Sequence, residues 1–240
     1  MEYYFVAHRG WSGVAPENTR SAFQLALDDP HADIIECDIQ LTKDGKLVVF
    51  HDFSLERTSN GVGPVFSCTY EELLQYDYGS WFSPEYAGEK IMLFSEILSL
   101  IDGKKRLMVE LKTVEGHYDG ILDKLLKEIE NYPKETLMIE SFNHCLIHEL
   151  KQRDPKLCTG IIYYGSPTQL VEQLKYQNCN FVSIQYVNVT KQMVEDLFAA
   201  GMEVVIWTLN HPWQFDFIAK IGTGLIVASD YPGLGRKHLM

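Results

Sequence analysis

Short runs of apolar and β-branched residues recur along the chain at Tyr4–His8, Ile34–Asp38, Leu47–Phe50, Leu107–Leu111, Leu137–Ser141, Cys158–Tyr163, Phe181–Gln185, Val204–Thr208 and Leu225–Ala228. Between most of them the apolar positions fall at helical spacing, as in Thr19–Asp28, Phe94–Ile101, Tyr118–Glu130, His144–Arg153, Thr168–Gln177, Lys191–Ala200 and Pro212–Lys220. Near-continuous apolar strands alternating with helices predict a parallel sheet covered by helices. Nine runs are one too many for a closed eight-stranded barrel. Only Thr42-Lys43-Asp44-Gly45-Lys46 separates Leu47–Phe50 from its predecessor. A parallel crossover needs about a dozen residues, and Asp44-Gly45 marks a hairpin instead. Leu47–Phe50 is therefore expected as an antiparallel extension of the second strand. The remaining eight runs fit an α/β fold, a TIM-like (β/α)8 barrel. An open doubly wound sheet is the competing fold. Its glycine fingerprint is missing, because Arg9-Gly10-Trp11-Ser12-Gly13-Val14 follows the first strand.

A long segment rich in aromatics, among them Tyr70, Tyr76, Tyr78, Trp81, Phe82 and Tyr86, separates Phe50 from Phe94. Loops of this length are functional or carry structure of their own. We read it as an insertion after the second strand, about residues 53–93, rising from the C-terminal face as a lid, a satellite core or both. Thr69–Leu74 reads as a short capped helix within it. No linker or low-complexity stretch interrupts the chain, so residues 1–240 are expected as one domain.

Polar residues at strand ends carry the candidate chemistry. Side chains at i and i+2 share a face of a strand. Glu36 and Asp38 form such a pair at the end of the second run, and Glu110 and Lys112 at the end of Leu107–Leu111. Buried carboxylates are costly unless paired, neutralised or bound to metal. Three of them on one rim call for a divalent cation, and an all-oxygen set favours Mg2+, Ca2+ or Mn2+ over zinc. Ordinary ion pairs with Arg9 and Lys112 are the bland alternative. His8 and His51 lie just past strand ends on the same rim. They suit metal ligation or general acid–base work, since imidazole titrates near neutrality. Arg9 and Lys112 offer cations to a phosphate. Asn18 or Thr19 can cap the first helix, and Glu17 can orient a rim residue. Trp207 is either a core residue or a wall against a substrate's alkyl or glycerol part. Asp230 is a turn or cap residue or orients a polar rim group, and the structural role is favoured. The remaining histidines fall on expected helices or loops and receive no role.

The chain's 240 residues, 46% of them hydrophobic, suffice for one substantial core. Its formal net charge of −12 repels nucleic acid and anionic membranes at long range. An anionic substrate therefore needs local positive charge, for which a bound cation is the obvious source. No apolar stretch approaches the roughly 18 residues of a membrane span. Met1–Ala7 lacks the basic start and apolar run of a signal peptide. The five cysteines contain no CxxC pair and suit reduced thiols. These features point to the cytoplasm, with no nucleic-acid partner and no membrane span. The oligomeric state stays open, with a homodimer among the options.

Ala7-His8-Arg9-Gly10, Pro16-Glu17-Asn18-Thr19, Glu36 through Gly45, His51-Asp52 and Glu110-Leu111-Lys112 occur in an order that closely resembles the glycerophosphodiester phosphodiesterase family. Arg57-Thr58 through Gly88-Glu89-Lys90-Ile91 looks like that family's insertion. Ser141-Phe142, Trp207-Thr208 and Ser229-Asp230-Tyr231-Pro232 carry the resemblance to the C-terminus. It implies a TIM-like barrel that hydrolyses glycerophosphodiesters to an alcohol and sn-glycerol 3-phosphate. It also implies Glu36, Asp38 and Glu110 as ligands of one divalent cation, His8 and His51 as catalytic pair, and Arg9 and Lys112 as phosphate contacts. The resemblance further suggests that the adjacent glycerol hydroxyl is the nucleophile, giving a cyclic phosphate that water opens. Met92-Leu93 stands where the family usually has Pro-Thr, Ser229 where it usually has Thr, and Glu140 where a neutral residue is expected. The terminal helix, Pro232–Met240, is short and holds Gly233 and Gly235. These departures bear on the rim and the leaving-group preference. Two rival readings are a lysophospholipase D-like activity and a phosphate- or metal-binding relic without turnover.

Overall fold

The computed structural model describes residues 3–239, so Met1, Glu2 and Met240 of the termini read above lie outside the described residues. The strands are β1 (Tyr4–Ala7), β2 (Ile34–Leu41), β3 (Leu47–Val49), β4 (Met92–Leu93), β5 (Arg106–Leu111), β6 (Leu137–Ser141), β7 (Cys158–Tyr163), β8 (Phe181–Gln185), β9 (Glu203–Trp207) and β10 (Ile226–Ser229). The main helices are α1 (Arg20–Asp28), α2 (Tyr70–Leu73), α3 (Phe94–Ile101), α4 (Ile121–Glu128), α5 (His144–Arg153), α6 (Leu170–Gln177), α7 (Lys191–Ala199), α8 (Pro212–Ile221) and α9 (Pro232–Leu239). All strands except β3 and β4 run parallel, and β1 pairs with both β2 and β10, which closes the barrel. The doubly wound alternative is thereby excluded.

The hairpin forms where Asp44-Gly45 places it. Thr42 N donates to Lys46 O at 2.9 Å, and Ile39, Gln40 and Leu41 pair antiparallel with Val49, Val48 and Leu47. That pairing extends β2 past Ile39, where its parallel pairing with β5 ends. β4 is too short to leave a periodic signal. It exists because Met92 and Leu93 add to the far edge of β3.

Inward and outward faces alternate along each strand, as the pleat requires. Val6, Ile34, Met108, Met138, Phe181, Val205 and Ile226 fill the barrel interior. The opposite faces, with Ile35, Cys37 and Val109, join Phe23, Ile97, Leu125, Ile147, Leu174 and Phe215 of the helices in the larger core. Each such fully buried side chain contributes roughly 1.5–3 kcal/mol of transfer free energy. Phe181 spans the interior only because its neighbour is Gly160, where a Cβ would lie 2.4 Å from the ring. This filled layer is the floor of the site, and the next inward positions toward the strand C-termini are polar.

Between β3 and β4, Val48, Phe50, Leu55, Val65, Leu73, Tyr78 and Ile91 form a separate apolar cluster. The helix expected at Thr69–Leu74 is present as α2. Thr69 and Glu72 make a reciprocal capping box there. Among the described residues, no helix is long and apolar enough to cross a membrane.

Candidate active site

The register of β2 against β5 aligns Asp38 with Glu110, and both point inward with Glu36. Ligand atoms of Glu36, Asp38 and Glu110 all lie within 4.8 Å of one another. Asp38 is 1% exposed and Glu36 4%. Lys112 Nζ lies 3.2 Å from Asp38 Oδ1 and 2.6 Å from Glu110 Oε1. Arg9 Nε lies 3.5 Å from Asp38 Oδ2. The ion-pair reading and the shared-rim reading thus hold together. Burial acts first on each acid, and the neighbours decide the sign. Burial and the charge of Asp38 push Glu36 well above the ordinary carboxylate range. Burial pushes Glu110 up to about 7, against the pull of Lys112. For Asp38, Lys112 and Arg9 outweigh burial and hold the carboxyl well below its usual value.

The backbone at the β1 terminus is shaped to serve this cluster. Arg9 adopts a left-handed φ of 55°, and its N–H donates to Glu36 Oε2 at 2.7 Å. Non-glycine residues in this region concentrate at functional sites. Gly10 follows at φ 78°, where a Cβ would lie 2.7 Å from the Ala22 carbonyl carbon. Thr19 caps α1 by accepting from Ala22 N. Asn18 has a different task. At φ 58° its Nδ2 donates to Asp38 Oδ2 at 2.8 Å. Glu17 accepts from Arg9 at 2.8 Å and from both guanidinium nitrogens of Arg57 at 2.7 Å, so it orients both.

Each histidine is held by one carboxylate. His8 Nδ1 lies 2.7 Å from Asp230 Oδ1, and His51 Nδ1 lies 2.6 Å from Asp52 Oδ1. A carboxylate can only accept, so Nδ1 carries the proton and Nε2 is the free nitrogen in each ring. Asp52 also accepts from Arg57 Nε at 2.6 Å. Asp230 also accepts from Asn210 Nδ2 at 2.6 Å and Ser12 Oγ at 3.1 Å. The sequence favoured a turn role for Asp230. Closure of the barrel changes this, since the pairing of Ala7 with Ser229 sets the next residues, His8 and Asp230, side by side. Burial lowers the affinity of His51 for a proton, and Lys112 and Arg9 act in the same direction against Asp38.

A cavity of about 930 Å³ opens over this layer. His8, Arg9, Glu36, His51, Glu110, Lys112 and Trp207 all line it, while Asp38 lies sealed beneath. All eight residues singled out in the sequence therefore converge. Trp207 packs edge-on against Phe142 at 6.1 Å, and Tyr164 lies 6.2 Å away. Its indole N–H is buried without a partner among the described residues. Phe53 and Phe66, from the β3–β4 segment, line the opposite wall. That segment thus has both a satellite core and a cavity-facing side. Sequence reasoning missed Asn18, Asp52 and Arg57 as partners of site residues, and for Asp230 it ranked orientation of a rim group second to a turn role. Asp52 was adjacent to His51 in plain view, but the others depended on long-range pairing.

The carboxylate trio fits a divalent cation of the Mg2+ or Ca2+ kind. Its donors are hard oxygens, and Glu110 Oε1 is buried without an aligned hydrogen bond, its contact with Lys112 being an ion pair by distance. The model of the glycerophosphoryl diester phosphodiesterase family matches residues 8–234. The chain belongs to that family. A glycerophosphodiester phosphodiesterase of Caldanaerobacter subterraneus subsp. tengcongensis is 35% identical over 232 residues, covering 96% of this chain and 95% of the relative. One of Bacillus altitudinis is 34% identical, covering 96% of each. A phosphodiesterase of Oleispira antarctica, solved with its product sn-glycerol-3-phosphate, superposes with a TM-score of 0.92 at 30% identity, covering 98% of this chain and 96% of the other. The barrel and the hydrolase class follow from membership in the glycerophosphoryl diester phosphodiesterase family.

Proposed function

We propose that the chain hydrolyses glycerophosphodiesters to an alcohol and sn-glycerol 3-phosphate, as one domain in which the β3–β4 segment covers the site. The observation that carries this reading is a single cavity. It is lined by two carboxylate-oriented histidines, two cations and two of three convergent carboxylates, with the third, Asp38, directly beneath. Glu36, Asp38 and Glu110 would hold one divalent cation, Mg2+ or Ca2+ with Mn2+ also accommodated, and the ion would supply Lewis-acid stabilisation of charge on the phosphoryl group. Arg9 and Lys112 bind the non-bridging oxygens. One of His8 and His51 takes the proton from the nucleophile as the new P–O bond forms, the nucleophile being the adjacent glycerol hydroxyl, whose cyclic phosphate water then opens, or water itself where the substrate carries no hydroxyl. The other gives a proton to the leaving alkoxide as the old P–O bond breaks. Asp230 and Asp52 keep Nε2 of each ring directed at the reacting atoms. Trp207 packs against the substrate. The five cysteines are all free and three are at least partly exposed, which suits the reducing cytoplasm.

A coupled assay for glycerol 3-phosphate on a panel of glycerophosphodiesters tests the reading, with chelation followed by return of Mg2+, Ca2+ or Mn2+. Activity that survives complete chelation removes the cation from the reaction. Asp230→Asn and Asp52→Asn are each expected to lower kcat about 10- to 100-fold with KM little changed, because the ring loses its preferred tautomer and orientation. Unchanged kcat in either variant removes that carboxylate from the mechanism.

The aromatic mouth favours a second reading, with lysophospholipids as substrates. Phe53 is 42% exposed, Phe142 49% and Tyr164 72%, all beside the cavity or its Trp207 wall. Comparing glycerophosphocholine with a lysophospholipid in the same assay separates the two.

A further inference from the structure

One group in the cavity is unused by this chemistry. Glu140 projects inward from β6, is 6% exposed, and stands where the sequence leads one to expect a neutral residue. Its register partner on β5 is Glu110, so it lies one strand further round the barrel than the carboxylate cluster. Adjacent strands are about 4.8 Å apart, a distance that matches the reach from a phosphorus atom to a hydroxyl on the esterified carbon chain. Met108, Val205 and Ala228 add apolar surface to the same cavity. Ser183, on β8 two strands round the barrel, donates to Glu140 Oε2 past Gly160 of β7. The nearby Ser141 hydroxyl is already committed to Leu111 O at 2.7 Å. Glu140 Oε1 makes no hydrogen bond to a described residue and is not among the sealed buried atoms, so it faces the cavity.

A pair that merely filled the core would need no free oxygen. A carboxylate placed there for charge would repel an anionic phosphodiester in a cavity that already holds three acids. A carboxyl oxygen accepts a hydrogen bond from an alcohol hydroxyl whether or not the group is charged.

We infer that Glu140, fixed by Ser183, is a specificity-determining residue that hydrogen-bonds a hydroxyl of the substrate's glycerol part. The inference rests on the proposed phosphodiesterase reading and adds to it the group that recognises the polyol. Glu140 touches no bond that is made or broken.

Calorimetric titration of the cation-loaded protein with sn-glycerol 3-phosphate tests it directly. Steady-state kinetics accompany it, with a glycerophosphodiester and with bis(p-nitrophenyl) phosphate, which has no hydroxyl. Loss of one buried hydrogen bond predicts about tenfold weaker product binding in Glu140→Leu, and a similar rise in KM for the glycerophosphodiester. The KM for bis(p-nitrophenyl) phosphate stays at the wild-type value. Glu140→Gln, an isosteric neutral group, restores most of the lost affinity. Ser183→Ala weakens product binding by about threefold, through loss of positioning. Product binding in Glu140→Leu equal to wild type overturns the inference, as does an equal rise in KM for both substrates. A loss in Glu140→Gln as large as in Glu140→Leu also overturns it. If melting curves show Glu140→Leu unfolded, Ser183→Ala and Glu140→Gln decide, and wild-type affinity in Ser183→Ala is then the refuting result. Wild-type protein that cleaves bis(p-nitrophenyl) phosphate but does not bind glycerol 3-phosphate refutes the underlying reading, a distinct outcome.

Discussion

Replacing His8 or His51 with Ala is expected to lower kcat by roughly 10²- to 10⁴-fold, the range that a positioned general acid or base supplies. Divalent-cation affinity should change little. Both rings line the cavity, yet neither belongs to the carboxylate trio. Their Nδ1 atoms are occupied by Asp230 and Asp52, so each ring presents one nitrogen to the substrate. The two steps need opposite protonation states, so neither histidine can stand in for the other. Turnover measured beside a cation titration separates this from a ligand role. Full activity in either variant, or a cation affinity that collapses with the ring, sinks the assignment.

The second large effect concerns the trio. A cation at a hundred times its Kd should raise wild-type stability by about 2.7 kcal/mol, because it binds only the folded state. Glu36→Gln should abolish that gain at the same concentration, and glycerol 3-phosphate release should fall with it. The affinity loss should exceed the roughly 10- to 100-fold that an outer partner of a metal ligand is worth. Without cation, the same variant should melt higher than wild type. The charge on Glu36 is disfavoured first by burial and then by Asp38, and an amide removes both penalties. Melting curves with and without Mg2+ or Ca2+ read both signs. A cation-dependent rise of wild-type size in Glu36→Gln takes Glu36 out of the cluster.

Much of this architecture was legible because its causes are local. The Asp44-Gly45 turn forces a hairpin whatever the rest of the chain does, and that removed the surplus strand from the barrel. Thr69 and Glu72 specify their capping box within a few residues. The i, i+2 spacing of Glu36 with Asp38, and of Glu110 with Lys112, needs only the strand pleat. The chain order of His8, Glu36, His51 and Glu110 then marked the family. β4 escaped notice for the opposite reason. Two residues carry no period, and their strand character comes entirely from the free edge of β3.

The sequence by itself determined which residues lie at strand ends and which face they take, because side-chain alternation and turn chemistry act over a few residues. Only the tertiary structure decided what those residues meet. Closing β10 onto β1 moved Asp230 from a turn to the flank of His8. The β1–α1 loop turned Asn18 from a helix cap into a donor to Asp38. Strand register placed Glu140 beside Glu110 and within reach of Ser183 two strands away, which made an unexpected acid part of the cavity wall. Such contacts join positions far apart in the chain. They depend on register and barrel closure, and no local pattern encodes either.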